Sequence, residues 1–340
     1  MIGFYAHHHG AGHLTRCRAV ARALAPRHEA VILSSHPEAD VVLPMDAPAD
    51  PAGATAHGAL HWAPQGHDGY TERMAVIAAW VREHRPAAFH VDLSAEVTAL
   101  VRLLGVPTSI QALPGVRDDL PHELSHRMAD RILAAWPDWV PLPGHLVPAA
   151  ERVRRVGGIT RFEDRELPAR RGRDAVILLG RGGHDASADY WREVAGIVGG
   201  RLSGHCRLLG LDEWVEDPFE ALASAAVVVT AAGQNSIADV AAAGAPAVVL
   251  PQRRPFREQE ATARILADAG LAVVPEAPGL PEPRAWPELI ERALQLGPGE
   301  QRRRLWQVDG AALRAAEVLG QLADGGAGAD AGTGPGRTRP

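Results

Sequence analysis

The sequence of 340 residues predicts an α/β protein of the doubly wound type, with two Rossmann-like halves facing a central cleft. Short apolar runs alternate with segments of helical periodicity, which is the pattern of a parallel sheet covered by helices on both faces. This order repeats after about residue 173. Segments 104–110 and 243–249 also resemble each other, because each has a Gly-x-Pro turn between a helix end and a buried strand. A chain of this length can fill two cores.

A strand, a glycine-containing loop and a helix open the first half. The apolar run Ile2–Ala6 predicts a strand and leads into the polar loop 7–13. Helical periodicity follows, with Leu14 and Cys17 on one face, and it ends before Pro26. Further strands are expected at 30–34, 87–92 and 107–110, and further helices at 71–84 and 95–104.

The second half repeats the order of strands and helices. Strands are expected at 175–179, 206–209, 226–230, 247–250 and 271–274, and helices at 190–198, 218–224, 236–243 and 258–269. A stretch rich in proline, glycine and arginine separates the halves, so we expect a linker there. The predicted organisation is an N-terminal domain at 1–156, a linker at 157–172, a C-terminal domain at 173–299, a closing helix at 300–322 and a disordered tail at 323–340.

Composition narrows the class of protein. The formal net charge of −6 argues against a nucleic-acid partner, because phosphate backbones require a basic surface. Two cysteines, Cys17 and Cys206, cannot build a disulfide framework and fit a reducing compartment. The N-terminus does not resemble a signal peptide, and no run approaches the roughly 18 apolar residues of a membrane span. We therefore expect a cytoplasmic protein.

The segment after strand 226–230 is a candidate anion site. The strand ends in small residues and Gly233, and a helix opens at Asn235 or Ser236. The N-terminus of a helix offers unpaired N–H groups and a positive dipole end, which suit a phosphate. The alternative is that Asn235 or Ser236 only caps the helix.

A second polar segment follows the next strand, at 251–259. Because ligands bind beyond the carboxyl ends of parallel strands, this loop should lie beside the first one. Glu258 and Gln259 open a helix there and could hydrogen-bond sugar hydroxyls. The alternative for this pair is the preference of helix N-termini for acidic side chains, and for Arg253 and Arg254 it is a solvated surface.

The segment from Ala231 to Val274 resembles the donor-binding region of the GT-B glycosyltransferases, most of all the MurG family of peptidoglycan lipid-intermediate synthesis. The resemblance implies that Asp239 contacts the ribose, at a position where the family usually has glutamate. It also implies that Glu258 and Gln259 contact the donor sugar. These implications make the C-terminal domain the donor domain and the N-terminal domain the acceptor domain.

Other motifs extend the resemblance over most of the chain. The loop with Gly12 and His13, followed by Arg16, resembles the first glycine loop of these enzymes, whose last histidine is the base. The resemblance further implies a phosphate-facing arginine, a diphosphate loop and a segment framing the uracil, which correspond to Arg161, Gly182 with Gly183, and Trp214 with Val215.

His13 and Asp92 are the candidate catalytic residues. A histidine near an acceptor hydroxyl can take its proton at neutral pH, whereas the alternative is that His13 only caps the helix or packs at its start. Asp92 follows a strand at the same sheet edge, so it could orient His13, bind the acceptor or cap a helix. A zinc site formed by His7–His9 and His13 with Asp92 is disfavoured, because adjacent residues leaving a strand point in different directions.

These observations predict a metal-independent inverting glycosyltransferase that moves a hexose-type sugar from a UDP- or dTDP-sugar to an acceptor hydroxyl. It needs no cofactor, since the nucleotide sugar is a substrate. The acceptor is open, and a lipid acceptor would imply peripheral membrane association. One alternative is a UDP-sugar hydrolase or epimerase, because residues 10–17 also resemble the opening of the UDP-sugar hydrolases of pseudaminic acid synthesis. Another is a non-catalytic binding protein, because Asp239 departs from the family pattern.

Overall fold

The computed structural model describes residues 1–8, 12–47, 53–169, 171–180, 186–277 and 279–328. Within these ranges the strands form two parallel sheets, one of seven strands and one of four, each flanked by helices. This architecture confirms the predicted α/β class with two doubly wound halves. None of the helices in the described ranges combines the length and hydropathy needed to cross a membrane.

The first sheet has the strand order β3-β2-β1-β4-β5-β6-β7. Its strands are β1 (Ile2–Ala6), β2 (Ala30–Ser34), β3 (Val41–Val42), β4 (Ala88–Asp92), β5 (Thr108–Ala112), β6 (Arg131–Ala134) and β7 (Val153–Arg155). The order reverses at β1, which pairs with β2 on one side and β4 on the other. Ala6 lies opposite Asp92 in this register, so the loop after β1 and the end of β4 meet at the switch point.

In the described part of the first half, four α-helices lie between these strands: α1 (Gly12–Leu24), α2 (Asp68–His84), α3 (Ala95–Leu103) and α4 (Leu120–Met128). Ser94 caps α3 by accepting a hydrogen bond from the backbone N–H of Val97. The capping alternative for Asp92 is therefore wrong, and this carboxylate is available for another role. Asp119 caps α4 in the same way, through the N–H of His122.

The second sheet has the order β11-β10-β8-β9. Its strands are β8 (Ala175–Leu178), β9 (Cys206–Leu209), β10 (Val227–Ala231) and β11 (Ala247–Leu250), and its helices are α5 (Ala188–Leu202), α6 (Phe219–Ser224), α7 (Gln234–Ala242), α8 (Glu258–Asp268) and α9 (Trp286–Leu294). The strand predicted at 271–274 is reduced to an isolated bridge between Val273 and Val248. Both sheets are covered by aliphatic cores built largely from alanine, valine and leucine.

The C-terminal helices differ from the single closing helix predicted for 300–322. The structure has two, α10 (Gly299–Leu305) and α11 (Ala311–Gly328), so α11 extends beyond the predicted end. Small side chains of α11, including Ala315, pack with Val20 and Leu24 of α1 in one buried cluster. This packing accounts for the longer helix, because even Ala323 is buried. Residues 329–340 of the predicted tail lie outside the described residues.

The last helix, α11, thus packs against the first half. It lies beside residues 156–158, where the chain passes from the first half to the second. Gly158 donates a backbone hydrogen bond to the carbonyl of Trp306 over 3.1 Å, and Arg314 donates from Nε to the carbonyl of Val156 over 2.8 Å. Gly157 between them has a φ of 87°, and a Cβ there would meet the carbonyl oxygen of Gln307 at 2.1 Å. Only glycine fits this close approach.

Candidate active site

A cleft of about 1180 Å³ lies between the two sheets and is lined from both halves. All the predicted site residues that the structure describes line it except Asp92, which lies directly behind His13. The predicted diphosphate-loop residues Gly182 and Gly183 lie outside the described residues, as does His9.

His13, Asp92 and Arg16 form a hydrogen-bonded group on the first-half wall of the cleft, in which Asp92 and Arg16 are buried and His13 is partly exposed. His13 stands in the first turn of α1, and its Nδ1 lies 3.0 Å from Asp92 Oδ1. Arg16, one helical turn later, donates from Nε to Asp92 Oδ2 over 2.9 Å and from Nη2 to Oδ1 over 2.7 Å. The Asp92 carboxylate thus accepts two hydrogen bonds from Arg16 and a third from the imidazole of His13.

The residues around Asp92 determine the ionisation state of its carboxyl. Asp92 is fully buried, and burial alone would raise the pKa of its carboxyl. The Arg16 guanidinium, and then His13, outweigh burial and hold the pKa of Asp92 far below its ordinary value. Asp92 is therefore an anion at all working pH values and can only accept hydrogen bonds. The proton between the pair consequently belongs to His13 Nδ1.

Arg16 also joins this group to the second half of the chain. Its Nη1 donates to Gln234 Oε1 over 3.1 Å and to Asn235 Oδ1 over 3.3 Å. Asn235 in turn donates from Nδ2 to the carbonyl of Gly12 over 2.7 Å. The sequence motif included Arg16, but its contacts with both walls of the cleft depend on the assembled halves.

The N-terminus of α7 forms the facing wall of the cleft. Gly233 occupies the N-cap position, and no side chain accepts a hydrogen bond from the first turn. The alternative that Asn235 or Ser236 only caps this helix is therefore wrong, because Asn235 is directed to Gly12 instead. The N–H groups of the first turn remain available to a ligand in the cleft.

Asp239 lies one turn further along α7 and is half-buried at the cleft wall. Thr160 donates a hydrogen bond from Oγ1 to Asp239 Oδ1. Burial raises the pKa of this carboxyl to about 6, although the hydrogen bond from Thr160 and the charge of Arg161 oppose the shift. Asp239 thus reaches the cleft as predicted, with Thr160 as a partner that the sequence did not indicate.

Arg161 also lines the cleft, next to Thr160. Its guanidinium carbon lies 4.7 Å from the centre of the Phe162 ring, which supports the side chain from one side. Within the described part of the chain, its buried Nε has no hydrogen-bond partner. This N–H is therefore a donor that a ligand in the cleft can use.

Gln259 and Glu258 have different surroundings although they are neighbours at the start of α8. Gln259 is buried, and its Oε1 accepts from the backbone N–H of Ala232 over 3.1 Å and of Gln252 over 3.0 Å. It therefore ties together the loops that follow β10 and β11. Glu258 Oε2 accepts from Arg117 Nη2 over 2.6 Å, which links α8 to the first half.

Trp214 and Val215 lie at the rim of the cleft between β9 and α6. The indole of Trp214 is 58% exposed, whereas Val215 packs against the core beneath the second sheet. An exposed ring held beside an anchored neighbour offers a flat surface to a base.

The histidines after β1 do not gather into a metal site among the described residues. His7 and His8 stack with ring centres 4.7 Å apart, and His8 Nε2 lies 3.9 Å from Asp46. A different group, His61, Asp119 and His122, has ligand atoms within 4.8 Å of one another. Hydrogen bonds account for that group, because Asp119 accepts from His122 Nδ1 over 2.7 Å and pairs with His61 Nε2 over 3.0 Å.

Solved structures define the fold class as that of the GT-B glycosyltransferases. The glycotransferase of kitacinnamycin superposes with a TM-score of 0.68 at 16% identity, covering 94% of this chain and 98% of that one. MurG of Acinetobacter baumannii superposes with a TM-score of 0.60 at 17% identity, covering 94% of this chain and 99% of that one.

Sequence comparison identifies the family within this class. Residues 213–290 match the glycosyltransferase family 28 C-terminal domain. The UDP-N-acetylglucosamine–N-acetylmuramyl-(pentapeptide) pyrophosphoryl-undecaprenol N-acetylglucosamine transferase of Rubrobacter xylanophilus is 31% identical over 254 residues, which cover 67% of this chain and 73% of the relative. The enzyme of the same name from Erwinia tasmaniensis is 30% identical over 229 residues, covering 64% and 61%. The chain belongs to this family of glycosyltransferases.

Proposed function

We propose that the protein is an inverting glycosyltransferase that moves a hexose-type sugar from a UDP-sugar to an acceptor hydroxyl without a metal ion. The observation that carries the proposal is the placement of the His13–Asp92 pair opposite the open N-terminus of α7. A base and an anion site on facing walls of one cleft are what a direct displacement at the anomeric carbon requires.

His13 is the proposed base. Its Nδ1–H donates to the ionised Asp92, so Nε2 carries the lone pair that can accept a proton from an acceptor hydroxyl. As the proton arrives, Asp92 stabilises the imidazolium that forms, and Arg16 keeps Asp92 in position. Attack from the face opposite the leaving nucleotide inverts the anomeric configuration.

The leaving diphosphate gathers negative charge as the anomeric carbon gains oxocarbenium character. The N–H groups of α7 and the unpartnered Nε of Arg161 are cleft groups that can stabilise this charge. These fixed dipoles and cations supply what a metal ion would otherwise supply, so we propose that none is needed.

The remaining donor contacts follow from the same placement. The Asp239 carboxylate would accept from the ribose hydroxyls, Trp214 would stack on the base, and Glu258 would accept from the donor sugar. Since the Oε1 of Gln259 is occupied by two backbone N–H groups, its amide would donate to the sugar. The printed names of the curated relatives include UDP-N-acetylglucosamine, which supports a UDP-linked donor. Cytoplasmic localisation stays a prediction.

A thermal-shift screen of the full chain with UDP-, dTDP- and GDP-sugars tests the donor assignment. A ligand that binds only the native state raises the apparent melting temperature, and we expect the largest rise with a UDP-sugar. The absence of any shift would remove the nucleotide-sugar assignment.

Turnover of the best donor in the presence of EDTA tests metal independence, because a metal-independent enzyme keeps its rate. NMR of the product tests inversion, because it shows the anomeric configuration.

The His13→Ala variant tests the proposed base. We expect turnover to fall by roughly 100-fold or more, while the thermal shift with the donor is retained. Full turnover in the variant would remove the assignment. Sugar release from the donor at the same rate with and without acceptors would instead favour a hydrolase.

A further inference from the structure

The first-half side of the cleft, which would hold the acceptor, has a wall of three rings and one thioether side chain. His61, Trp62, Tyr70 and Met74 all line the cleft and are partly exposed there. Trp62 is fixed by a hydrogen bond from Nε1 to the carbonyl of Asp46 over 2.7 Å. The hydroxyl of Tyr70 carries no hydrogen bond within the described residues. This surface suits a flat or apolar ring more than a flexible chain.

Four arginines on this side of the cleft form ion pairs with carboxylates. Arg16 pairs with Asp92, Arg18 with Glu38, Arg73 with Asp46 and Arg117 with Glu258, at N–O distances of 2.7, 2.8, 3.1 and 2.6 Å. Arg73 is almost fully buried and also donates to the hydroxyls of Tyr5 and Ser35. Within the described residues, the three buried guanidinium groups, those of Arg16, Arg73 and Arg117, are held by carboxylates and are not left to neutralise an anionic acceptor, whereas the Arg18–Glu38 pair is exposed at the rim.

Two buried histidines of this wall, His122 and His126, do not replace the missing cations. Burial lowers the pKa of His122 to about 4, although its hydrogen bond to Asp119 opposes the shift. Burial, with the charge of His145, lowers the pKa of His126 to about 3. Both rings are therefore neutral at physiological pH.

Glu96 adds a negative charge to the same wall. Its Oε1 accepts from the backbone N–H groups of His61 over 2.7 Å and Trp62 over 3.0 Å, and its Oε2 accepts from Ser94 Oγ over 2.8 Å. Among the described residues it has no ion-pair partner. This carboxylate therefore holds the loop that presents the rings and repels a second anion placed beside them.

From this arrangement we propose that the acceptor is an uncharged compound that carries its hydroxyl on a planar or apolar ring, and not an anionic lipid diphosphate. The inference rests on the proposed function and adds the acceptor class to it. It separates this chain from the relatives above, whose names include a pyrophosphoryl-undecaprenol acceptor.

A matched pair of acceptors tests the charge argument on the full-length protein. The probes are 2-naphthol and 6-hydroxynaphthalene-2-sulfonate, which share the ring and differ by one anionic group, with the UDP-sugar that gives the largest thermal shift. We expect kcat/KM for 2-naphthol to exceed that of the sulfonate by about tenfold or more. Equal use of both, or preferred transfer to a polyprenyl diphosphate-linked saccharide, would overturn the proposal.

Failure of this inference can be told apart from failure of the proposed function. A clear thermal shift with a UDP-sugar, without transfer to either naphthol, would overturn the acceptor class and leave the donor assignment standing. No shift with any nucleotide sugar would remove the donor assignment itself.

Two variants connect the acceptor preference to the residues. Glu96→Gln keeps the carbonyl that accepts from residues 61 and 62 but removes the charge, so the naphthol-to-sulfonate ratio should fall about fivefold; an unchanged ratio would contradict the role of Glu96. Glu83→Gln, on the exposed side of α2, is the control and should leave the ratio as it is.

Tyr70→Leu should raise KM for 2-naphthol about fivefold, and Tyr70→Phe should raise it less because the ring remains.

Discussion

Arg117 and Glu258 form an ion pair across the cleft, with Arg117 Nη2 donating to Glu258 Oε2 over 2.6 Å. Arg117 follows β5 in the first half, and Glu258 begins α8 in the second. The guanidinium also lies 4.7 Å from the ring centre of Phe256, and the N–H of Val116 donates to the carbonyl of Phe256 over 2.7 Å. The residue proposed to accept from the donor sugar is thus oriented by the opposite wall.

Replacing Arg117 by alanine should reduce kcat/KM for the donor by roughly tenfold, because Glu258 would lose the partner that fixes its carboxylate. Arg117→Lys should recover part of the loss. Steady-state kinetics with the best UDP-sugar measures both effects. In a double-mutant cycle with Glu258→Gln, we expect a coupling free energy of about 1 kcal/mol or more.

Arg127→Ala is the matched control for this prediction, since Arg127 pairs with Glu123 on the surface of α4 and is 72% exposed. Its kinetics should equal those of the natural sequence. Additive effects of the Arg117 and Glu258 substitutions would show that the ion pair does not position the donor.

Asp92→Asn should lower kcat by roughly 100-fold or more, because an amide cannot hold His13 and Arg16 as the carboxylate does. The variant should also unfold more easily, by about 3 kcal/mol, since Arg16 would be left buried without a counter-ion. Turnover and urea denaturation measure the two effects separately.

Asp130→Asn makes the same chemical change at the opposite edge of the first sheet, where Asp130 accepts from the N–H of Thr108. We expect its turnover to stay near that of the natural sequence. A folded Asp92→Asn protein with undiminished turnover would remove Asp92 from the catalytic group.

Asp239 should make the protein less stable as the pH rises. Burial raises the pKa of its carboxyl from 3.8 to about 6, so the native state holds this proton more tightly than the unfolded chain does. The resulting stabilisation is complete below about pH 4 and is lost as the pH rises through about 6. Between about pH 5 and about pH 7.5 the loss should be on the order of 1 kcal/mol.

Urea denaturation of the natural sequence and of Asp239→Asn at both pH values measures this contribution. The difference between the two proteins isolates Asp239 from the histidines, which titrate in the same range in both. Identical pH dependence in the two proteins would contradict the assignment.

Arg161→Ala should weaken UDP binding by about tenfold, because the variant lacks the guanidinium that faces the cleft with an unpartnered Nε. Isothermal titration with UDP measures the change. Arg165→Ala is the control on the same segment, since Arg165 is exposed and pairs with Asp217. Equal losses in both variants would indicate a general effect of charge in place of a contact at the cleft.

The sequence predicted the positions of those site residues that directly follow strands of a parallel sheet. His13 and Asp92 could be placed together because they follow β1 and β4, and parallel strands end at one edge. The same rule placed the loops with Gly233 and Glu258 side by side. Arg117 also follows a strand of the first sheet, but its partner lies across the cleft, and no local pattern fixes how the two halves face each other.

The structural role of Gln259 could not be predicted from the sequence either, because it depends on how separate loops come together. A glutamine at the start of a helix resembles a ligand contact in sequence. Its carbonyl is instead used by the N–H groups of Ala232 and Gln252, which lie in two other loops. Which backbone groups lack partners becomes known only when all the loops are in place.

The chain passes between the two halves twice, and the hydrogen bond between Gly158 and Trp306 holds the two passages side by side. A single tether would let one half swing in any direction, whereas two tethers joined along their length leave mainly one rotation axis. Any opening of the cleft should therefore be a hinge rotation of one half about an axis that runs along these two segments. Gly157 and Trp306 lie along that axis, so substitutions there should change the rate at which the cleft opens.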